Sequence, residues 1–353
     1  MNRRRFLQGA ALLTGLAAAG GGAGMAVARR TNRYYRGPVS DHFDGLRFFN
    51  PGGTAPNGLS DLLRWRFNGA RSHWPDSVPL TATARPAPRV DDLTVTMVGH
   101  ATLLIQTAGL NILTDPVWSD RASPLSFAGP RRVTAPGIAF EDLPPIDAVL
   151  LTHSHYDHLD LATLHRLKAV HDPQVVTPLG NDAIIAATGL RTAALDWGDS
   201  SPLVPLTVHC VPCHHWSARG LNDRSMALWA GFVLTGPAGA VLHIGDTGFD
   251  AGRPYRDLPD RFGPLRAAIL PVGAYEPRWF MQGQHQNPDE AVQGFRLSRA
   301  TWAIGHHWGT FQLTDEARSA PLEALNQALD AQTIPRNRFR ALAPAETWAI
   351  PPA

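Results

Sequence analysis

The sequence predicts an α/β protein in which two β-sheets are covered by helices. Many short apolar runs follow one another from Leu93 onwards, helix-like segments separate the later runs, and no short-period repeat or low-complexity tract interrupts them. Short strands bury their apolar faces against further layers, so one domain with helices outside two sheets is the simplest architecture. The chain has 353 residues, of which 44% are hydrophobic and 18% are charged, so it can bury a large core.

The N-terminus has the pattern of an export signal over residues 1–28. Three arginines, Arg3–Arg5, precede a small, apolar stretch from residue 9 to residue 24, and Ala26–Ala28 fits the small-residue pattern of a cleavage site. The arginine segment resembles a twin-arginine motif, which predicts export of the folded chain to the periplasm. An uncleaved N-terminal helix is the alternative for these residues.

Charge and cysteine content argue against two classes of function. The formal charge of +2 falls to −1 once the three arginines of the predicted signal are removed, and a near-neutral body offers no electrostatic case for binding nucleic acid. Cys210 and Cys213 lie in a β-rich run, whereas a redox Cys-X-X-Cys pair normally begins a helix that lowers a thiol pKa. We expect both to be packing residues, and a disulfide is disfavoured because residues three apart in a strand point to opposite faces.

Residues 29–90 are expected to form an N-terminal extension that is rich in Arg, Pro, Gly and aromatic residues. Its apolar cluster consists of Leu59, Leu62, Leu63, Trp65 and Phe67, and the flanking arginines are Arg64, Arg66 and Arg71. Two interpretations stay open for this cluster. It is either a helix packed on the core or a basic amphipathic edge that faces a lipid surface.

Residues 91–353 are expected to form the main domain, in which an initial run of strands gives way to alternating strands and helices. The expected strands are Leu93–Val98, Thr102–Gln106, Ile112–Thr114, Ala148–Thr152, Val175–Thr177, Leu206–Pro212, Trp229–Leu234, Ala240–Ile244, Ala267–Pro271 and Trp302–Ile304, the last clear one. The expected helices are one capped by Asp160 that runs to about Val170, a short one capped by Asn181, one over Pro288–Leu297 capped by Asn287, and a C-terminal region that begins at Thr314, breaks at Pro321 and ends near Ala331.

Residues of metal-ligand type follow the expected strand that ends at Thr152. His153, His155, Asp157 and His158 fall within six residues of one another. Imidazole nitrogen and carboxylate oxygen are the atoms that hold Zn²⁺ and similar ions. The end of a buried strand is rigid yet faces open space, as a metal site requires. A polar turn that is rich in histidine by chance is the alternative, but this spacing in this context favours a metal site.

Later segments place further His or Asp residues beside strand or helix ends. They are Cys213–Trp216, Gly245–Gly248, Gln284–Pro288 and Gly305–Phe311. Two metal ions need about four ligands apiece, and one bridging carboxylate serves both. The set is therefore large enough for a dinuclear centre, although spacing alone does not choose within the pairs His214-His215 and His306-His307.

The His-X-His-X-Asp-His motif, with Gly-Asp-Thr-Gly downstream, resembles the metallo-β-lactamase superfamily. Further segments resemble one branch, the N-acylphosphatidylethanolamine-hydrolysing phospholipase D family. These segments are Val98–Thr102, Leu113–Pro116, Arg121–Pro124, Leu143–Val149, Pro277–Phe280 and His307–Phe311. The resemblance spans about Asp41 to Leu325, and it implies a four-layer αββα sandwich with a dinuclear zinc site at one edge.

The resemblance also implies a ligand set, residue by residue. The implied ligands of one zinc ion are His153, His155 and His215. Those of the other are Asp157, His158 and His307, and Asp246 would bridge the two ions. The family match selects the histidine directly before Trp in each doubled pair, so His214 and His306 are expected to point away.

Residues around this set have further implied roles. His285 lies in a matching Gln-His segment and is a candidate to contact phosphate beside the catalytic residues Asp157 and Asp246; a structural histidine before a helix is the alternative. Asp115 is expected to orient a ligand from behind, and His100 either does the same or is a buried structural histidine. His243, inside a strand, is expected in the core.

The implied function is phospholipase D-type hydrolysis of N-acylphosphatidylethanolamine or a related phospholipid by a zinc-activated hydroxide. The expected partners are this phospholipid, a membrane surface contacted peripherally and a second copy of the chain in a homodimer. Two alternatives stay open. One is a superfamily hydrolase of a small soluble substrate such as a cyclic phosphate, a lactone or a β-lactam. The other is a periplasmic metal- or lipid-binding protein without catalysis.

Overall fold

The structure is a computed structural model that describes residues 31–353. The predicted export signal, residues 1–28, lies outside the described residues. Residues 32–353 form one compact unit, built around two sheets of seven strands each. Of the helices in the described part of the chain, none is both long and apolar enough to cross a membrane.

The first sheet is formed mainly by the N-terminal half of the unit. Its strands are β1 (Thr94–Gly99), β2 (Thr102–Thr107), β3 (Leu110–Thr114), β4 (Ala148–Leu150), β5 (Gln174–Pro178), β6 (Arg191–Leu195) and β14 (Thr347–Ala349), in the spatial order β14-β1-β2-β3-β4-β5-β6. Pairing is antiparallel from β14 to β3 and parallel from β3 to β6. The C-terminal ends of β3, β4 and β5 therefore meet at one edge of the sheet.

The second sheet is formed by the C-terminal half. Its strands are β7 (Ser200–Leu203), β8 (Leu206–Val211), β9 (Gly231–Thr235), β10 (Ala240–His243), β11 (Leu265–Pro271), β12 (Trp302–His306) and β13 (Phe339–Ala341), in the spatial order β13-β12-β11-β10-β9-β8-β7. Strands β10 to β13 pair in parallel and β7 to β10 pair antiparallel. This sheet is mixed in the same way as the first.

The helices connect the strands and border the sheets. They are α1 (Leu59–Asn68), α2 (Leu161–Val170), α3 (Asn181–Ile185), α4 (Arg253–Arg256), α5 (Leu258–Phe262), α6 (Arg278–Met281), α7 (Pro288–Leu297) and α8 (Ala320–Ala331). Short 3₁₀ turns occupy Phe140–Asp142, Ala186–Thr188, Asp250–Gly252 and Arg336–Arg338.

Alternate residues of the strands face different layers, as the twofold repeat of a strand requires. Val95 and Met97 of β1 share a core with Phe232 of β9, so this core lies between the sheets. Leu104 of β2 packs instead in a second core with Leu164 of α2. A third core joins strands β10 to β12 to helices α7 and α8. The predicted four-layer αββα sandwich is therefore confirmed.

The strongest local signals in the sequence mark real helix boundaries. Asn287 caps α7, with its side chain accepting a hydrogen bond from the Glu290 backbone N–H at 2.8 Å. Asp160 caps α2 in the same way through the backbone N–H of Ala162. A side-chain oxygen at this position satisfies a helix N–H that has no partner within the helix.

Other local predictions are wrong. Asn181 is the first residue of α3 rather than its cap, and its side-chain amide donates to the carbonyls of Pro178 and Leu228. Pro321 does not break a helix, because it lies in the first turn of α8, where no intrahelical N–H bond is lost. Trp302–His306 is not the last strand, since two strands of three residues follow it.

The N-terminal extension is partly buried and partly on the surface. Phe43 is buried in the core of the second sheet. The apolar cluster forms helix α1, which buries none of its residues and leaves Leu59 71% and Phe67 80% exposed. Trp65 attaches this helix to the domain, with its ring 4.9 Å from that of Phe280 between centroids. The cluster is thus a helix, but it lies on the surface and not in the core.

Candidate metal centre and its cleft

His and Asp residues that follow strands of both sheets lie together at one edge of the sandwich. His153 follows β4, His215 follows β8, Asp246 follows β10 and His307 follows β12. Each lies within a few residues of its strand, so its position depends on the hydrogen-bonded frame of a sheet rather than on a long loop. All four side chains are buried.

The first group of side chains consists of His153, His155 and His215. The Nδ1 atom of His155 lies 2.9 Å from Nε2 of His153 and 3.2 Å from Nε2 of His215. Burial lowers the pKa of His153 and His215 well below the usual value, and it lowers the pKa of His155 to about 4. Three neutral rings therefore converge, each with a lone pair to offer to a cation.

The second group consists of His100, Asp157, His158 and His307. The Nε2 atom of His307 lies 3.3 Å from Oδ2 of Asp157, and Nε2 of His158 lies 3.5 Å from the same oxygen. The carboxylate of Asp246 stands between the two groups. Its Oδ2 is 3.1 Å from His307 Nε2, 3.3 Å from His158 Nε2 and 3.8 Å from His215 Nε2.

The two carboxylates create a demand for positive charge. Burial opposes their ionisation, but the neighbouring His158 holds the pKa of Asp157 and of Asp246 well below the usual range. Burial by itself lowers the pKa of the imidazoles of His158 and His307. The two carboxylates outweigh this effect and raise the pKa of His158 well above its usual value and that of His307 to about 9. In the absence of a cation, protons on these two rings balance the carboxylates.

Buried polar atoms without partners show that the site fits metal ions. Among the residues that the structure describes, His158 Nε2, His285 Nδ1, His307 Nε2 and Asp246 Oδ1 are buried and make no hydrogen bond. Leaving such atoms unpaired is costly, so they are normally satisfied by protein, water or an ion. Nitrogen and carboxylate oxygen in two converging sets are the donor atoms that zinc and related ions take.

Hydrogen bonds behind the site direct the imidazoles. His158 donates from Nδ1 to Oδ2 of Asp115 at 2.8 Å, and His215 donates from Nδ1 to the carbonyl of Gln284 at 3.0 Å. Thr152 donates its hydroxyl to Asp115 at 2.7 Å, so its oxygen is free to accept from His153 Nδ1 at 3.0 Å. In each case Nδ1 is occupied and Nε2 faces the site, which is how outer hydrogen bonds orient metal ligands.

His100 and His307 also hold each other through the backbone. Both have positive φ, 57° for His100 and 66° for His307, in a region that side chains rarely adopt. The N–H of His307 donates to the carbonyl of His100 at 2.8 Å, and Nε2 of His100 lies 3.0 Å from Oδ2 of Asp157. Strained backbone of this kind persists where the surrounding contacts define it, and it clusters at functional sites.

His285 lies at the same edge, on the segment that joins α6 to α7. Its Nδ1 is 3.8 Å from Oδ2 of Asp246, and burial lowers its pKa to about 4. It forms a further group of possible ligands with His215 and Asp246. The geometry therefore admits His285 as a ligand or as a neutral hydrogen-bonding group beside Asp246.

The remaining histidines of the motif segments lie elsewhere. His214 turns away from the site, with Nδ1 2.9 Å from Asp250 and Nε2 3.1 Å from the carbonyl of Thr54. His306 is buried beside His243, with 5.2 Å between the ring centroids. His243 itself lies behind the site, 3.6 Å from Oδ2 of Asp115. Both cysteines of the chain are buried and free.

An open cleft of about 520 Å³ leads from the surface to these groups. We call its inner end the cleft floor, formed by His155, Asp157, Asp246 and His285. We call its outer rim the cleft mouth, formed by Leu59 and Leu62 of α1 and by Leu221. Trp65, Trp216, Phe280, Met281 and Leu313 line the walls between them. The floor is polar and mostly shielded from solvent, whereas the walls and mouth are mainly apolar.

The sequence did not reveal several residues that shape this cleft. Arg219 donates to the carbonyls of Ser154 and Leu159 at 3.0 and 2.8 Å, so it clamps both ends of the motif loop. Its guanidinium lies 3.9 Å from the ring centroid of Tyr156, which lines the cleft. No local pattern marks Arg219, because its partners are backbone carbonyls about 60 residues away.

Comparison with known proteins shows which family this chain belongs to. Residues 110–308 match the family model described as the Beta-lactamase superfamily domain. Over 270 residues the chain is 40% identical to the N-acyl-phosphatidylethanolamine-hydrolyzing phospholipase D 1 of Caenorhabditis elegans, which covers 72% of this chain and 75% of that protein. The chain belongs to this phospholipase D family. The family resemblance predicted from the sequence motifs is thereby confirmed.

A second relative supports the family assignment, and a solved structure supports the fold alone. The mitochondrial N-acyl-phosphatidylethanolamine-hydrolyzing phospholipase D of Saccharomyces cerevisiae is 34% identical over 224 residues, which cover 62% of this chain but only 47% of the yeast protein. Among solved structures, the isothiocyanate hydrolase from Delia radicum gut bacteria superimposes with a TM-score of 0.56 at 24% identity, covering 73% of this chain and 99% of that one. The chain is a hydrolase of the metallo-β-lactamase fold with a His/Asp cluster able to bind metal.

Proposed function

We propose that this chain is a metal-dependent phosphodiester hydrolase of phospholipase D type, acting on N-acylphosphatidylethanolamine or a related phospholipid. The observation that carries the proposal is the apolar cleft that opens directly onto the His/Asp cluster. A lipid presents acyl chains beside its phosphodiester, and the apolar walls would pack against such chains while the phosphodiester lies at the floor. Two relatives named for this activity, one of them 40% identical, support the same substrate class.

Two zinc ions are the cofactor that we propose for the cluster. His153, His155 and His215 would hold one ion, Asp157, His158 and His307 would hold the other, and Asp246 would contact both. Metal ions held by these residues would supply the activation of water and the neutralisation of charge on phosphoryl oxygens. The convergence of these seven side chains supports the assignment.

The chain's own residues would prepare the phosphodiester for attack. Asp157 and Asp246 remain ionised and keep the surrounding imidazoles directed at the floor. His285 borders the cleft and remains neutral, so it can donate one N–H to a phosphoryl oxygen. The apolar walls exclude water from the remainder of the substrate, and this strengthens each polar contact at the floor.

We propose that the cleft mouth rests on a membrane. Leu59 and Phe67 of α1 and the fully exposed Leu221 present apolar side chains to solvent around the opening. The exposed Arg64 and Arg66 on the same helix add positive charge, which favours an anionic lipid surface. A phospholipid could then pass from the bilayer into the cleft without its chains crossing water.

Headgroup release from liposomes tests this function. Purified zinc-loaded protein is incubated with vesicles that contain N-acylphosphatidylethanolamine, and the metal content of the same preparation is measured. Cleavage by water at the phosphate should yield phosphatidic acid and N-acylethanolamine. Failure to release a headgroup from any phospholipid of a panel would refute the proposal, and faster turnover of soluble esters would favour the soluble-substrate alternative. Fewer than about two ions per chain without any hydrolysis would favour the non-catalytic alternative.

A further inference from the structure

One arginine lies in the wall of the otherwise apolar cleft. Apart from histidine, Arg224 is the one basic residue lining the cleft in the described part of the chain. Its guanidinium lies 4.7 Å from the ring centroid of Trp216, and its Nη2 donates to the carbonyl of Asn57 at 2.6 Å. The ring of Trp216 in turn lies 4.6 Å from that of His155 at the cleft floor. The Trp216 ring therefore lies next to both the guanidinium and a floor residue.

Arg224 has no anionic partner among residues 31–353. Its contacts are one carbonyl oxygen and one indole face, and no carboxylate offsets the effects of burial and of Arg47, which lower its pKa. A guanidinium carries five N–H donors in a planar fork, so donors remain free for a ligand in the cleft. A partly buried cation without a counter-charge is costly, and this cost falls when an anion binds beside it.

We propose that Arg224 selects lipids that carry a second anionic group besides the phosphodiester bound at the floor. The inference rests on the proposed phospholipase D function. In the described part of the chain the Arg224 side chain contacts Asn57 and Trp216 and makes no hydrogen bond or ion pair with a floor residue, so we assign it to a second group and not to the phosphodiester at the floor. The second group is a carboxylate or a phosphate, since both match the guanidinium fork with two parallel hydrogen bonds. The apolar walls would strengthen this contact.

The experiment compares three lipids in neutral-detergent mixed micelles, which remove the contribution of membrane surface charge. N-acylphosphatidylethanolamine carries one phosphate, N-acylphosphatidylserine adds a carboxylate, and cardiolipin adds a second phosphate. We measure kcat and KM for the zinc-loaded full chain, for Arg224→Gln and for Arg224→Lys. Arg191→Gln, which removes an exposed arginine on the edge strand β6, is the matched control for loss of one charge.

We expect the wild type to have a lower KM for at least one of the two-anion lipids. Arg224→Gln should raise that KM about tenfold while kcat and the KM for N-acylphosphatidylethanolamine stay unchanged. Arg224→Lys should retain part of the preference, because it keeps the charge but not the fork. If the KM rises for N-acylphosphatidylserine, the second group is a carboxylate, and if it rises for cardiolipin, the second group is a phosphate.

Two results would overturn the inference. An equal rise in KM for all three lipids would mean that Arg224 only supports the wall through Asn57, and no change in any KM would mean that it contacts no substrate. If the wild type hydrolyses none of the lipids, the proposed function fails, and equilibrium binding of the same micelles tests Arg224 separately. A preference for two-anion lipids that disappears in Arg224→Gln would then uphold the inference, and equal binding would reject it.

Discussion

The floor and the mouth of the cleft depart from the usual pattern of burial in opposite directions. At the floor, Nδ1 of His285 and Oδ1 of Asp246 are buried without hydrogen-bond partners among the described residues. At the mouth, Leu59 and Leu221 are 71% and 100% exposed. Polar groups normally lose water only when paired, and clusters of large apolar side chains normally avoid water.

The two departures teach that the ends of the cleft suit different kinds of ligand. The floor holds buried polar atoms without partners, which cations would satisfy. The mouth holds exposed apolar side chains, which would be covered at the lipid surface that we propose. The predictions below change one end of the cleft at a time, so that a loss of metal binding is separated from a loss of lipid contact.

The largest effect is expected at the floor. Asp246→Asn or His155→Ala should lower metal-dependent hydrolysis by on the order of a thousandfold, because each removes a proposed ligand and Asp246 contacts both groups of side chains. Turnover of a phosphodiester and bound metal per chain are measured on the same preparation. Cys210→Ala is the control and should retain activity. Full activity in either ligand variant would show that the ligand assignment is wrong.

A smaller loss is expected one layer behind the floor. Asp115→Asn places an amide where His158 Nδ1 and the Thr152 hydroxyl now donate, so His158 loses the contact that directs its Nε2 to the site. Metal affinity should fall about 10- to 100-fold. Competition with a chromogenic chelator measures it, and Asp172→Asn, at an exposed carboxylate, is the control. Equal affinity in the two variants would argue against an orienting role for Asp115.

The exposed face of α1 beside the cleft mouth should affect lipid contact and not the metal centre. Phe67→Ser removes an exposed apolar side chain of α1 that does not line the cleft, and vesicle binding should weaken about tenfold. Co-sedimentation with liposomes measures binding, while turnover of a soluble phosphodiester should remain at the wild-type rate. Val170→Ser changes another exposed apolar residue, on α2, and should leave binding unaltered. A similar loss of vesicle binding in both variants would show that α1 has no specific role in membrane contact.

The smallest effect concerns the cysteines, which lie outside both ends of the cleft. Burial raises the pKa of the Cys210 and Cys213 thiols well above 9.0, so both should resist thiol reagents at pH 8 in the folded protein. Unfolded thiols ionise near pH 9.0 while folded ones stay protonated, so the unfolded state then binds fewer protons. Stability should therefore decrease as the pH rises above about 9. Chemical denaturation of wild type and Cys210→Ala should show a shallower decrease in the variant, and identical slopes would contradict this.

Local sequence signals succeeded where the physical cause is local. Asn287 and Asp160 cap helices because a side-chain oxygen meets a backbone N–H two or three residues away. The motif from His153 to His158 was recognisable because its ligands share one loop after one strand. In contrast, strand β14 pairs with β1 across about 250 residues, and its three residues show no pattern of their own.

The same contrast holds for the site. Arg219 and Arg224 shape the cleft through partners that are distant in sequence, so spacing could not identify them. The apolar cluster of α1 was visible in the sequence, but its place at the mouth was not. The family resemblance selected His215 and His307 within their pairs, and the fold brings both into the ligand groups.

By itself, the sequence predicted two sheets covered by helices and a metal motif after one strand, because strand periodicity, helix caps and the spacing of the motif act over short distances. Its motifs resembled one family, and that resemblance implied the αββα arrangement and the set of candidate metal ligands. Only the tertiary structure decided that Asp246 stands between two ligand groups, that Asp115 and Thr152 orient the rings behind them, and that α1 borders the opening. The physical reason is that these contacts join strand ends from two sheets, and their geometry exists only once the sheets have packed against each other.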